Sequence, residues 1–212
     1  MLVPGIELPF PLRWGFSTKL DPADGLPKPG LHQVHGCDIH PAGDEIRSGD
    51  GLWTMEPGRI IGVRVADCVP ILLAGPIGGR PWIAALHAGW RGAVAGILRQ
   101  GVALYRDLGG IPSDLTWAFG PAIQRCHFEV GAEVIQAARQ DPAWRGELVS
   151  PGPRGKPHFD LHGFLRAQAL DVGLVEGRDG SVPLCTVCRE DLLHSYRRGD
   201  LEGRQWGWAE IL

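Results

Sequence analysis

Ile60-Ile61-Gly62-Val63-Arg64-Val65, Ala66-Asp67-Cys68 and Val69-Pro70-Ile71-Leu72-Leu73 are the consecutive segments on which the fold turns. Two short apolar runs, rich in β-branched residues, flank a three-residue step, the pattern of two strands joined by a tight connection. Gly75-Pro76-Ile77-Gly78-Gly79 then reads as a turn into Trp82-Ile83-Ala84-Ala85-Leu86, a third apolar strand that ends at His87.

Outward from this block the periods alternate. Leu12, Trp14 and Phe16 recur every second residue, and Trp206 and Trp208 do so in a terminal strand. Residues 21–31 are turn chemistry throughout, and Leu115 to Phe119 reads as another strand. Gly92 to Leu108 reads as one helix, with Val94, Ile97, Leu98, Val102, Tyr105 and Leu108 on a single face. Glu129 to Arg139 predicts a second helix, and Asp160 caps a third that carries Leu161, Phe164, Leu165 and Val172. Arg189 to Arg198 predicts a short fourth. The mixture implies an α/β fold with more than one sheet, with residues 1–212 forming a single compact domain.

Three residues of metal-binding type fall at the strand ends and turns of this layout. They are His35 in Gln33-Val34-His35-Gly36, Cys68 in Ala66-Asp67-Cys68-Val69-Pro70, and His87 in His87-Ala88-Gly89-Trp90-Arg91-Gly92. Two imidazoles and a thiolate make a three-residue zinc set that leaves a fourth position for water or substrate. A zinc held so brings the pKa of its water to about 7, and Asp67 could orient a ligand or shuttle a proton. Cys68 and His87 could instead be a nucleophile and its base, and both histidines could simply cap turns. Spacing alone leaves these readings open.

Composition narrows the rest. The chain has 212 residues, 44% hydrophobic and 21% charged, which describes a globular and not a disordered protein. A net charge of −3 offers nothing to a phosphate backbone, so nucleic acid is not an expected partner. No apolar run approaches the roughly 20 residues that span a bilayer, and no signal peptide is visible at the start. Five cysteines, an odd number, suit reduced thiols and a cytoplasmic location. Cys185-Thr186-Val187-Cys188 has the spacing of half a zinc site, yet no second pair of that spacing exists, so it reads as a buried thiol pair. His32 and His40 read as loop residues, and His158, His162 and His194 as surface ones.

The wording around the three residues resembles the laccase-domain family, whose members have been called multicopper polyphenol oxidases, purine nucleoside phosphorylases and peptidoglycan editing factor. Gly120-Pro121-Ala122-Ile123, Cys126-His127-Phe128-Glu129-Val130-Gly131, Cys185-Thr186 and Ser195-Tyr196-Arg197-Arg198 extend the resemblance from Trp14 to Leu212. The resemblance implies zinc at His35, Cys68 and His87, in layered mixed sheets and helices similar to the cysteine-hydrolase-like fold of toxin deamidases. It implies phosphorolysis of adenosine, inosine, guanosine or methylthioadenosine, and deamination of adenosine. Cys68, His87 and Asp67 are then the catalytic candidates. Arg91 and Arg197, whose guanidinium forks match phosphate oxygens, join Gln33 and Cys126 as candidate substrate contacts.

Two departures stand out. Only residues 19–32 separate Gly15-Phe16-Ser17-Thr18 from Gln33, where the family has a longer segment. Part of one pocket wall is then absent or supplied by a second copy in a homo-oligomer. The usual paired cysteines stand here as Cys126-His127. Against multicopper oxidation, the eight histidines include no His-x-His pair, although a single copper could occupy the site adventitiously. Amide hydrolysis on a peptidoglycan precursor and metal-free Cys/His hydrolysis are the alternative activities.

Overall fold

The computed structural model describes residues 1–8, 10–22, 30–153 and 155–212. The first apolar run becomes β6 (Ile61–Val65), the second β7 (Val69–Ile77) and the third β8 (Arg80–Ala88). β7 and β8 are longer than their apolar cores suggest, because they form one antiparallel hairpin closed at Gly78-Gly79, both with positive φ. Further strands are β1 (Leu12–Phe16), β2 (Leu31–His32), β3 (Ile39–Pro41), β4 (Arg47–Ser48), β5 (Gly51–Thr54), β9 (Thr116–Phe119), β10 (Val149–Pro151), β11 (Pro157–Phe159) and β12 (Gln205–Ile211).

The strands make a five-stranded sheet of order β3-β5-β8-β7-β9 and a three-stranded one of order β1-β12-β6, plus two small pairs. Alternation along β7 explains the layering. Leu72 and Ala74 face the three-stranded sheet, packing with Phe16, Ile61, Val63 and Ala209. Ile71 and Leu73 face the helices, packing with Ile97, Leu98, Phe164 and Leu165. Both faces of β7 are covered, so its run is apolar without interruption. The step Ala66-Asp67-Cys68 carries the chain from the smaller sheet to the larger, which puts Cys68 at the edge between layers.

The helices are α1 (Trp90–Ala95), α2 (Ile97–Asp107), α3 (Ala132–Ala138) and α4 (Leu161–Asp171). The single helix read over Gly92–Leu108 is thus two, broken at Gly96, whose φ of 88° is left-handed. Glycine tolerates that conformation without the clash a Cβ would bring. α3 begins later than Glu129, because Glu129 bridges to His158 and the Val130 amide donates to the Pro157 carbonyl. The Asp160 cap is present, its side chain accepting from the Gly163 amide.

No helix forms over Arg189–Arg198. The Arg197 amide, which a helix would pair with Leu193, donates instead to Asp67 Oδ2 at 2.8 Å, and the Arg198 guanidinium takes the Leu193 carbonyl. The surface reading of three histidines is also corrected. His158 and His162 are buried, and His194 is half-buried and bonded to Asp200 at 2.6 Å. The loop reading of His32 and His40 is corrected too: His32 is exposed but ends β2, and His40 is half-buried in β3 with Nε2 2.9 Å from the Ser48 carbonyl. The loop read over 21–31 falls mostly on residues 23–29, outside the described residues. No helix among the described residues is long and apolar enough to cross a membrane.

Candidate metal centre

His87 lies one residue before the end of β8, directly opposite Pro70 of β7, and Cys68 immediately precedes β7. The hairpin register therefore fixes two of the three residues side by side. His35 comes from the turn between β2 and β3. Its φ of 62° is left-handed, a conformation that costs a non-glycine residue on the order of 1 kcal/mol.

Asp50, just before β5, holds that turn. Its carboxylate accepts the backbone amides of His35 at 2.9 Å and Gly36 at 2.6 Å, with Val34 at 3.3 Å. It also meets His87 Nδ1 at 2.7 Å, and the Asp50 carbonyl accepts the His87 amide. One fully buried carboxylate thus fixes two of the three candidate ligands. The sequence does not mark Asp50: Ser48-Gly49-Asp50-Gly51 reads only as turn chemistry, and an acid between glycines ahead of a strand is its one signal.

The donor atoms of His35, Cys68 and His87 lie within 4.8 Å of one another, and the two rings meet edge-to-face at 4.8 Å between centroids. His87 is buried, Cys68 half-buried and His35 exposed. Burial opposes charge on Cys68, but hydrogen bonds from His35 and His87 outweigh it and bring the thiol down to about 6. Burial likewise disfavours charged His87, but Asp50 and Cys68 outweigh it and raise the imidazole to about 9. Despite its own burial, Asp50 is held below the usual carboxylate range by His87 and the Gly36 and His35 amides. Gly89 keeps the space clear: a Cβ there would stand 3.0 Å from Cys68 Sγ and 3.1 Å from His35.

The triad opens into a cavity of about 900 Å³. Arg64, Arg91, Arg197 and Arg204 line it, against the acids Asp67 and Glu202, together with Trp90, Phe128 and Tyr196. Arg91 is exposed and stacks over Trp90, 4.4 Å from the ring centroid. Arg197 reaches the carbonyls of His127 and Glu129, both at 3.2 Å. Asp67 accepts from the Thr186 hydroxyl at 2.6 Å as well as from the Arg197 amide. Gln33 also lines the cavity, but its side-chain amide exchanges two hydrogen bonds with the Arg64 backbone, tying the His35 turn to β6. Cys126 stands apart from the triad, grouped with His127, Cys185 and Cys188.

Comparison with known proteins agrees with this architecture. The family model described as multi-copper polyphenol oxidoreductase laccase matches residues 23–211. The chain is 37% identical over 182 residues to a protein named purine nucleoside phosphorylase from Deinococcus radiodurans, covering 83% of this chain and 67% of that one. It is 33% identical over 178 residues to purine nucleoside phosphorylase YfiH of Escherichia coli, covering 82% and 70%. The chain spans 55% of the length of a Bacteroides thetaiotaomicron relative of the same name, at 36% identity and over 70% of this chain. Among solved structures, YlmD from Geobacillus stearothermophilus superposes with a TM-score of 0.75 at 31% identity, covering 86% of this chain and 74% of that one. Bacillus licheniformis YfiH gives a TM-score of 0.78 at 27% identity, with 86% and 73% covered. Match length, identity and fold agree, and the chain belongs to the multi-copper polyphenol oxidoreductase laccase family.

Proposed function

We propose that this protein is a zinc-dependent purine nucleoside phosphorylase that also deaminates adenosine. The observation that carries the reading is the opening of a three-donor His/Cys/His cluster into a cavity lined by four arginines and three aromatic rings. One sulfur and two imidazoles fit zinc, and three protein ligands leave a position free toward the cavity. With His87 Nδ1 on Asp50, Nε2 is left for the metal, the carboxylate–histidine arrangement that fixes ring and tautomer. When bound, zinc supplies a Lewis acid and a coordinated water with a pKa of about 7.

The cavity size lies within the range for small-molecule sites. Trp90, Phe128 and Tyr196 offer stacking faces for a purine, and Arg91, the leading phosphate contact, offers a planar fork with Arg197 behind it. In phosphorolysis a phosphate oxygen bonds to C1′ as the C1′–N9 bond breaks, and the departing base takes a proton. In deamination water adds at C6 and ammonia leaves. Asp67, fastened by Thr186 and Arg197, serves as the positioned carboxylate beside Cys68, available to accept or return a proton.

The test is product analysis with adenosine and inosine, with and without phosphate, on the native protein and His87→Ala, alongside metal content. Free base and ribose 1-phosphate, lost together with one zinc in the variant, are the expected result. Zinc without nucleoside turnover overturns the reading in favour of amide substrates. Turnover by metal-free protein that alkylation of Cys68 abolishes would instead favour the Cys68–His87 pair as nucleophile and base, the alternative that the lowered thiol supports.

A further inference from the structure

A second group of metal-type side chains lies outside the triad. Cys126 and His127 follow Gly120-Pro121-Ala122-Ile123, and Cys185 and Cys188 come from the later Cys-x-x-Cys segment. The four donor atoms lie within 4.8 Å of one another. The isolated Cys-x-x-Cys of the sequence therefore has its complement after all, an adjacent Cys-His pair that no spacing rule for a second Cys-x-x-Cys would find.

We propose that Cys126, His127, Cys185 and Cys188 form a structural zinc site distinct from the triad. Zn–S bonds of about 2.3 Å and Zn–N bonds of about 2.05 Å at tetrahedral angles put sulfurs about 3.8 Å apart and sulfur and nitrogen about 3.6 Å apart. The structure has Cys126 Sγ to Cys188 Sγ at 3.7 Å. His127 Nδ1 lies 3.3 Å from Cys126, 3.4 Å from Cys188 and 3.7 Å from Cys185. These four of the six edges match a zinc tetrahedron, and the remaining two lie within 4.8 Å. None of the five cysteines is in a disulfide.

Against its burial, backbone amides of Gln124, Val187 and Cys188 are directed at Cys185 and lower its thiol, whereas burial and the neighbouring sulfurs raise Cys126 and Cys188, so the proposed site stands on its donor geometry. Three cysteines and a histidine satisfy a tetrahedral ion completely, which marks a closed structural site and not a catalytic one. Its task follows from what it joins. Ile123 and Phe128 on one arm, and Tyr196 and Arg197 just beyond the other, line the large cavity. Thr186, between the two cysteines of the turn, holds Asp67 beside Cys68. Zinc here would staple the two loops that make one wall of the cavity.

Zinc per folded chain, measured on protein purified under reductant, tests this without reference to turnover. The native chain is expected to carry about two zinc ions, and His87→Ala and Cys188→Ser about one each. Cys188→Ser should also lower Tm by about 5 °C or more. Should Cys188→Ser fail to fold, thiol titration of His87→Ala decides: Cys126, Cys185 and Cys188 should react only after a chelator is added. Folded His87→Ala that holds no zinc overturns the proposal, as does a set of thiols that react alike with and without chelator. A native chain that carries both zinc ions and turns over no nucleoside would count against the catalytic reading alone.

Discussion

The two clusters use the same side chains and are built in opposite ways. The triad takes its residues from strand ends and one strained turn, and a buried carboxylate behind it touches two of the three. The four-residue cluster takes its residues from two loops, and three of its four members are exposed. One brings three donors to a cavity of about 900 Å³, and the other brings four, enough to close around a tetrahedral ion. Ligand count and what stands behind the ligands, more than residue type, separate a site for chemistry from a site for holding loops together.

Removing the triad's sulfur is the most severe way to probe this contrast. Cys68→Ala should lower nucleoside turnover on the order of 10³-fold, within the range for a positioned catalytic group, and should leave the four-residue cluster its zinc. Turnover within tenfold of native would break the assignment of the triad as the reactive centre.

Acid should act on the wall between the two sites. His162 Nε2 meets the Gly120 carbonyl at 3.0 Å, at the root of the loop that carries Cys126. Burial outweighs that hydrogen bond and drops His162 to about 4, against an ordinary value of 6.5. Below pH 6.5 the unfolded chain therefore binds a proton that the folded chain refuses. Stability present above pH 6.5 is lost as pH falls toward 4, by about 3 kcal/mol for this group. Urea unfolding from pH 7 to 4 checks it, and His162→Gln should flatten that part of the curve; an unchanged slope would remove His162 as the cause.

Asp50→Asn should weaken zinc binding at the triad by about 10–100-fold, measured by chelator competition, while the second zinc keeps its affinity. Equal weakening at both would mean that the carboxylate supports the fold and not the triad. The mildest change is Thr186→Val, which removes one hydrogen bond to Asp67. It should cost about tenfold in kcat/KM with the zinc count unchanged. A drop in zinc as well would show that the two regions act as one unit.

The parts of the fold that could be read from sequence are those where local pattern and tertiary contact agree. The runs that became β6, β7 and β8, the Asp160 cap and the Trp206–Trp208 strand all stand where periodicity puts them. The failures come where distant groups claim the backbone. Arg198 and Asp67 take the carbonyl and amide that a helix over Arg189–Arg198 would need. Gly96, inside an unbroken apolar period, adopts a left-handed φ that periodicity does not report. In the site, the words around His35, Cys68 and His87 were distinctive, and the fold does gather those residues. Asp50 acts through contacts that exist only once β5 lies against β8. The partner of Cys185 and Cys188 was hidden because a contiguous Cys126-His127 pair can chelate only where its loop turns sharply.

His35 owes its position to hydrogen bonds that the chain makes to itself through Asp50. Its left-handed turn is therefore held by the same residue that joins the start of β5 to the end of β8. A strain that draws β5 away from β8 would displace His35 and His87 together, so the cluster comes apart as one unit and not residue by residue.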